Sequence, residues 1–138
     1  MAKSYFLAKT DPDTYTIEQF AADRRTNWDG VRNAQALQAV KAMKPGDRVF
    51  IYHSGGVSAV VGLAKVTGKP EPDPKDEKSW MVAMEFTAMI RPPVTLAEIK
   101  ASGLFNDWAL VRQSRLSTMA APESFVDWMQ AKNPKLKL

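Results

Sequence analysis

Arg48-Val49-Phe50-Ile51-Tyr52-His53-Ser54-Gly55-Gly56-Val57-Ser58-Ala59-Val60-Val61-Gly62-Leu63-Ala64-Lys65-Val66-Thr67 holds two runs rich in Val and Ile around a glycine pair. Such runs read as strands, Arg48 to His53 and Ala59 to Thr67, and the Gly55-Gly56 loop can adopt the positive φ of a tight connection. An antiparallel hairpin is therefore predicted at the centre of the chain. Upstream, Ala36, Leu37, Val40 and Met43 share one helical face, and Pro45-Gly46 stops that helix. Further upstream, Ser4 to Lys9 reads as a short strand, and Asp11-Pro12-Asp13 as a turn. Thr16-Ile17-Glu18-Gln19 has the form of a capping box and opens a helix expected to end near Asp23. Asn27-Trp28-Asp29-Gly30 is read as the loop that follows. Downstream, Gly68 to Lys78 carries Pro70, Pro72 and Pro74 and is expected to be an exposed connector. Trp80 to Met89 alternates as a half-buried strand, with Trp80, Val82, Met84 and Phe86 on one face. Thr95-Leu96-Ala97-Glu98 opens a short helix, and Phe125, Trp128 and Met129 mark a terminal one. Strands gathered mid-chain with short helices around them predict an α+β fold, an antiparallel, barrel-like sheet with helices outside.

The 138 residues suit one domain, 1–138, with a short basic tail from about residue 132. A chain of this size buries roughly two-thirds of its unfolded surface without needing staples. Zero cysteines exclude disulfides and thiolate chemistry, and one histidine excludes any site built on two. No cofactor or metal is expected. No apolar run approaches the roughly 20 residues that span a bilayer. The stretch Met1 to Lys9 is too short and too soon charged for a secretory leader, so a cytoplasmic protein, expected to be monomeric, is predicted. A net charge of +4 permits a polyanionic partner without requiring one.

Catalytic machinery is thin. His53 and Ser54 are strand neighbours whose side chains point to opposite faces, and G-x-S-x-G, Walker and G-x-G-x-x-G patterns are absent. Asp11 and Asp13 are explained by turn chemistry. Three segments carry binding chemistry instead. In Trp28-Asp29-Gly30-Val31-Arg32-Asn33 the tryptophan is either core or a stacking surface, and Asn33 can cap the following helix. Tyr52-His53-Ser54 places hydrogen-bonding side chains at a strand end, where they read a ligand or plug the sheet. Leu110-Val111-Arg112-Gln113-Ser114-Arg115-Leu116-Ser117 offers two arginines and two hydroxyls, either as a solvated face or as a phosphate or base-edge site. Residue types alone leave each of these alternatives open.

Taken in order, Lys9 to Thr16, Trp28 to Asn33, Gly46 to Ser54, Val60 to Ala64, Leu110 to Arg112 and Ser114 to Ser117 resemble the EVE-domain family. The resemblance implies a PUA-like β-barrel of mostly antiparallel strands and a non-catalytic pocket for a flipped, modified base in DNA or RNA. It implies Trp28 as a stacking wall and Val31, Arg32 and Asn33 as the floor. Tyr52, His53 and Ser54 with Arg115, Leu116 and Ser117 would form the opposite side. Lys9, Thr10 and Arg112 would stand at the rim or on phosphates, where Arg32, Arg115, Lys132, Lys135 and Lys137 would add to them. Ala34, where the family commonly has tyrosine, and Thr118-Met119-Ala120-Ala121 depart from its pattern and are expected to widen the pocket. The alternative is a small-molecule, nucleotide or protein-interaction module, followed by a hydrolase using His53.

Overall fold

The computed structural model describes residues 3–136 and 138; Met1, Ala2 and Lys137, with the phosphate contact expected of Lys137, lie outside the described residues. The strands are β1 (Tyr5–Thr10), β2 (Arg25–Val31), β3 (Arg48–His53), β4 (Ala59–Val66), β5 (Glu71–Asp73), β6 (Asp76–Thr95) and β7 (Thr118–Ala120). The helices are α1 (Ile17–Asp23), α2 (Ala34–Ala42), α3 (Leu96–Ala101), α4 (Ala109–Arg112) and α5 (Glu123–Lys132). One sheet runs in the order β2-β6-β4-β3-β1-β7, with β5 paired to β6. It is a curled mixed sheet, a PUA-like half-barrel, whose ends are β2 and β7, and α2 packs against both β7 and β6.

The expected hairpin is present: β3 and β4 pair antiparallel from Arg48 opposite Lys65 to His53 opposite Ala59. The capping box at α1 is complete, Gln19 N–H donating to Thr16 Oγ1 at 3.0 Å and Thr16 N–H to Gln19 Oε1 at 2.8 Å. Asn33 caps α2, its Oδ1 accepting from Gln35 N at 2.9 Å and Ala36 N at 3.1 Å.

Two readings are corrected. Asn27-Trp28-Asp29-Gly30 is not a loop but part of β2, which pairs with β6 through a register shift between Trp28 and Val31. The extra residue of that bulge turns both Trp28 and Val31 inward, where strict alternation would oppose them. The proline-rich connector forms a hairpin, Glu71 opposite Met81 and Pro72 opposite Trp80. Proline is tolerated there because β5 is an edge strand. The basic tail from about residue 132 follows directly from α5 and packs back on the domain. Lys132 closes α5 and pairs with Glu98, and Gln130 Nε2 donates to the carbonyl of Leu136 at 2.8 Å.

The core holds two aromatic groups. Tyr15, Phe20, Trp28 and Phe86 pack between α1 and the β2 side of the sheet. Phe50, Phe105, Trp108, Phe125 and Trp128 pack under α5. No helix among the described residues is long and apolar enough to cross a membrane.

Ile17, the first residue of α1, lies directly over Gly62 of β4, where an added Cβ would come within 2.9 Å of Ile17 Cγ1 and closer still to Cδ1. Glycine is required there by the close approach of the helix, not by its backbone angles. Gly62→Ala is expected to lower stability by about 1–3 kcal/mol, read as a lower urea midpoint at unchanged m value.

Candidate functional site

A cavity of about 350 Å³ is lined by Lys9, Thr10, Thr14, Tyr15, Thr26, Asn27, Trp28 and Asp29. β1 and β2 are not hydrogen-bonded neighbours in the sheet, yet both line it. The curl of the half-barrel brings their residues together, and the segment between β1 and α1 supplies the third wall. The volume lies within the roughly 300–1,000 Å³ of ligand pockets.

Lys9 is the charged centre of this wall. Its Nζ donates to the carbonyl of Ser114 at 2.9 Å and stands 5.4 Å from the centre of the Tyr52 ring, which lies opposite it in the parallel β1–β3 register. Burial pulls its ammonium below the ordinary lysine range. Among the described residues it has no carboxylate partner, so a donor in a half-dry place retains hydrogen-bonding capacity for a ligand acceptor. Asp29 and Asn27, exposed on β2, add a carboxylate and an amide.

Trp28 is only 8% exposed and packs on Phe20 at 6.0 Å and edge-on to Tyr15 at 6.4 Å. It is therefore both cavity wall and core, and it is more buried than Trp128, which the sequence pattern takes as the core tryptophan. Tyr15 donates its hydroxyl to Asp23 Oδ2 at 2.8 Å. Its phenol is pushed up to about 12, chiefly by burial and then by that hydrogen bond. Tyr52, 3% exposed, is also raised by burial, with a Ser58 hydrogen bond acting the other way.

The structure gathers only part of the sequence-predicted set here. Lys9, Thr10 and Trp28 line the cavity. Tyr52 lies beneath Lys9, and the 114–117 turn flanks it, Lys9 N–H donating to the carbonyl of Ser117 at 2.8 Å. Arg115 is exposed on that turn, whereas Leu116 is buried. Arg112 is exposed at the end of α4 and lies 3.9 Å from Asp107.

Val31, Arg32 and Asn33 do not line the cavity. Val31 is buried opposite Trp80, Arg32 pairs with Asp76 at 2.7 Å, and Asn33 is committed to capping α2. His53 turns toward a separate cavity with Ile17, Val57 and Met89, and its Nε2 accepts from Ile17 N–H at 3.0 Å. The Ser54 hydroxyl reaches the carbonyl of Thr10 at 3.4 Å. Ala34 is exposed on α2, and Thr118 and Met119 are buried in β7, so neither departure from the family pattern borders the cavity. Thr14, Tyr15, Thr26, Asn27 and Asp29 are additions that sequence reasoning did not make. Tyr15 was within reach of it, as a tyrosine between a turn and a helix cap.

A curled PUA-like half-barrel with a polar, aromatic-walled cavity at its seam defines the class of this protein. Residues 4–131 match the EVE domain, and the chain belongs to that family. Human thymocyte nuclear protein 1 is 28% identical over 162 aligned residues, covering 91% of this chain and 72% of the human protein. A solved structure from Rhodopseudomonas palustris matches at TM-score 0.88 and 32% identity, over 98% of this chain and 96% of that one. The structure of human THYN1 protein in complex with 5-methylcytosine-containing DNA matches at TM-score 0.86 and 25% identity, over 98% and 100%.

The geometry yields two expected outcomes. Trp28→Ala should lower folding stability by about 3–5 kcal/mol, the usual cost of emptying a large aromatic site, measured as the urea midpoint. Tyr15 supplies a pH dependence: its phenol ionises near 10 when unfolded and at about 12 when folded. Folding thus favours the neutral form. The stability it contributes is complete below pH ~10 and is lost as pH rises through about 12. Urea midpoints above pH ~10 should fall more steeply for the wild type than for Tyr15→Phe.

Proposed function

We propose that this chain is a non-catalytic nucleic-acid-binding module that receives a modified base in the Lys9–Tyr15–Trp28 cavity. The observation that carries this is the half-buried Lys9 ammonium, unpaired with any carboxylate among the described residues, beside an indole wall and an exposed carboxylate. Lys9 can donate to a base carbonyl or ring nitrogen, and Asp29 can accept from an exocyclic amine. The human relative bound to 5-methylcytosine-containing DNA supports a base as the ligand.

Energetics set the terms. Extracting a paired base costs a few kcal/mol, stacking on an open aromatic face returns about 1–3 kcal/mol, and Trp28, 8% exposed, returns only part of that. A buried methyl adds only about 0.8 kcal/mol, a several-fold preference. The remaining affinity comes from phosphates, and the exposed Arg112 and Arg115 beside the Ser114–Lys9 contact stand where a flanking backbone would pass. Single-stranded or damaged sites are favoured because extraction there costs less.

A non-enzymatic role is supported by His53, whose acceptor nitrogen is already engaged by Ile17 N–H and so is not presented as a base. A cysteine-free chain suits the reducing cytoplasm in which we place it, though it does not require that location.

The test is binding of the purified protein to modified and unmodified DNA and RNA oligonucleotides over a salt series. Salt-dependent binding with a several-fold preference for one modified base is expected. Arg115→Ala should weaken it and reduce the log–log salt slope by about 0.7–0.9. An unchanged slope with reduced affinity would assign Arg115 to a base edge. Binding of a free nucleoside without salt dependence would overturn the polymer reading in favour of a small-molecule module.

A further inference from the structure

We propose that His53 is a positioning residue for the candidate cavity: without touching the ligand, it holds the 11–16 segment that forms the Thr14–Tyr15 wall. The proposal rests on reading that cavity as the base site. His53 borders the neighbouring cavity of about 540 Å³ with Ile17, Glu18 and Val57, and is not among the residues lining the first.

The segment is tied at both ends to the same place on β3. At its start, Thr10 lies opposite His53 in the parallel β1–β3 register, and Ser54 N–H donates to the carbonyl of Thr10 at 3.0 Å. At its end, Ile17 N–H donates to His53 Nε2 at 3.0 Å across a sequence separation of 36 residues. Between these ties the segment is held by bonds of its own. Thr14 N–H and Tyr15 N–H donate to the carbonyl of Asp11, each at 2.9 Å, and Thr10 Oγ1 donates to the carbonyl of Tyr15 at 2.9 Å. The opening turn of α1 exposes backbone donors that need partners. Thr16 and Gln19 satisfy each other's backbone N–H groups; the partner of Ile17 N–H comes from the sheet. His53 is thus the side chain that closes the base of the segment. In this bond Nε2 is the acceptor and the backbone N–H the donor.

Ile17 adds a second anchor through its side chain over Gly62, so loss of the His53 bond is expected to loosen α1's opening turn without releasing the helix. The effect reaches the ligand through Tyr15, which lies two residues before Ile17 and lines the cavity.

The test compares wild type, His53→Ala and His53→Gln, whose Oε1 is as many bonds from the backbone as Nε2 and can accept the same N–H. Amide hydrogen exchange of Thr14, Tyr15 and Ile17 is read on the ligand-free protein, and affinity is read with a 5-methylcytosine-containing DNA oligonucleotide. His53→Ala is expected to speed exchange at Tyr15 and Ile17 at least about tenfold relative to β4 amides, the scale of one lost buried acceptor, and to weaken binding by a similar factor. His53→Gln is expected to restore both to within about threefold. Unchanged exchange and affinity in His53→Ala would overturn the proposal, as would failure of His53→Gln to restore them, since either leaves only a packing role. If wild type binds no oligonucleotide, the base-site reading fails alone, and the exchange rates still decide what His53 holds.

Discussion

The parallel ladder between β1 and β3 is the constraint from which the other placements follow. It pairs Tyr5 with Arg48 through Thr10 with His53, and every other strand pair in the sheet is antiparallel. Parallel neighbours cannot be joined by a tight turn, so the chain between them must make a crossover, and α1, β2 at the far end of the sheet, and α2 make it up. The ladder's start is fixed by Asp47, 5% exposed, whose carboxylate accepts from Ser4 N at 3.0 Å and Lys44 N at 2.9 Å. A buried carboxylate left without such partners would be costly, and here each oxygen receives a backbone donor. The ladder's other end sets Lys9 over Tyr52 and aims the 11–16 segment toward β2.

β1 has a neighbour on each side, and that doubles its consequence for the site. On one edge it carries β3. On the other, Phe6 to Ala8 pair with β7, and just beyond that pairing Lys9 N–H donates to the carbonyl of Ser117. The turn bearing Arg115 is therefore attached to the same residue whose ammonium faces the cavity. Charge and cavity are brought together by backbone pairing, not by ion pairs, and a polar ligand finds both in one place.

Local signals were legible in the sequence and non-local ones were not. The β3–β4 hairpin, the Thr16 capping box and the Asn33 cap each depend on residues within a few positions of one another, and each stands where the residue types place it. Asp29-Gly30 has the residue types of a turn, and only pairing with the long partner β6 makes that break a bulge within β2. β7 has three residues, too few for any periodicity, and exists because β1 offers an edge. The same division runs through the site. Asn27 and Asp29 flank Trp28 on β2, and the curl of the sheet is what brings all three against Lys9 and Thr10 of β1. The resemblance implies Arg32 and His53 in the pocket, yet their partners lie 44 and 36 residues away and take them elsewhere.

Cations that look equivalent in composition are unequal in place, and this narrows where a polyanion can lie. Arg25, Arg32 and Lys132 face Glu85, Asp76 and Glu98, and exposed pairs of this kind add little to stability. A phosphate approaching them must compete with a carboxylate already in contact. Arg112 has only a 3.9 Å approach to an exposed Asp107, and neither Arg115 nor Lys9 has an acidic partner among the described residues. These three are tied to one another through the 112–117 segment and its bonds to Lys9. The net charge of +4 is thus a poor guide by itself. Lys9 and Arg115, which have no carboxylate partner among the described residues, stand beside the cavity, where a strand delivering a base would need its backbone held.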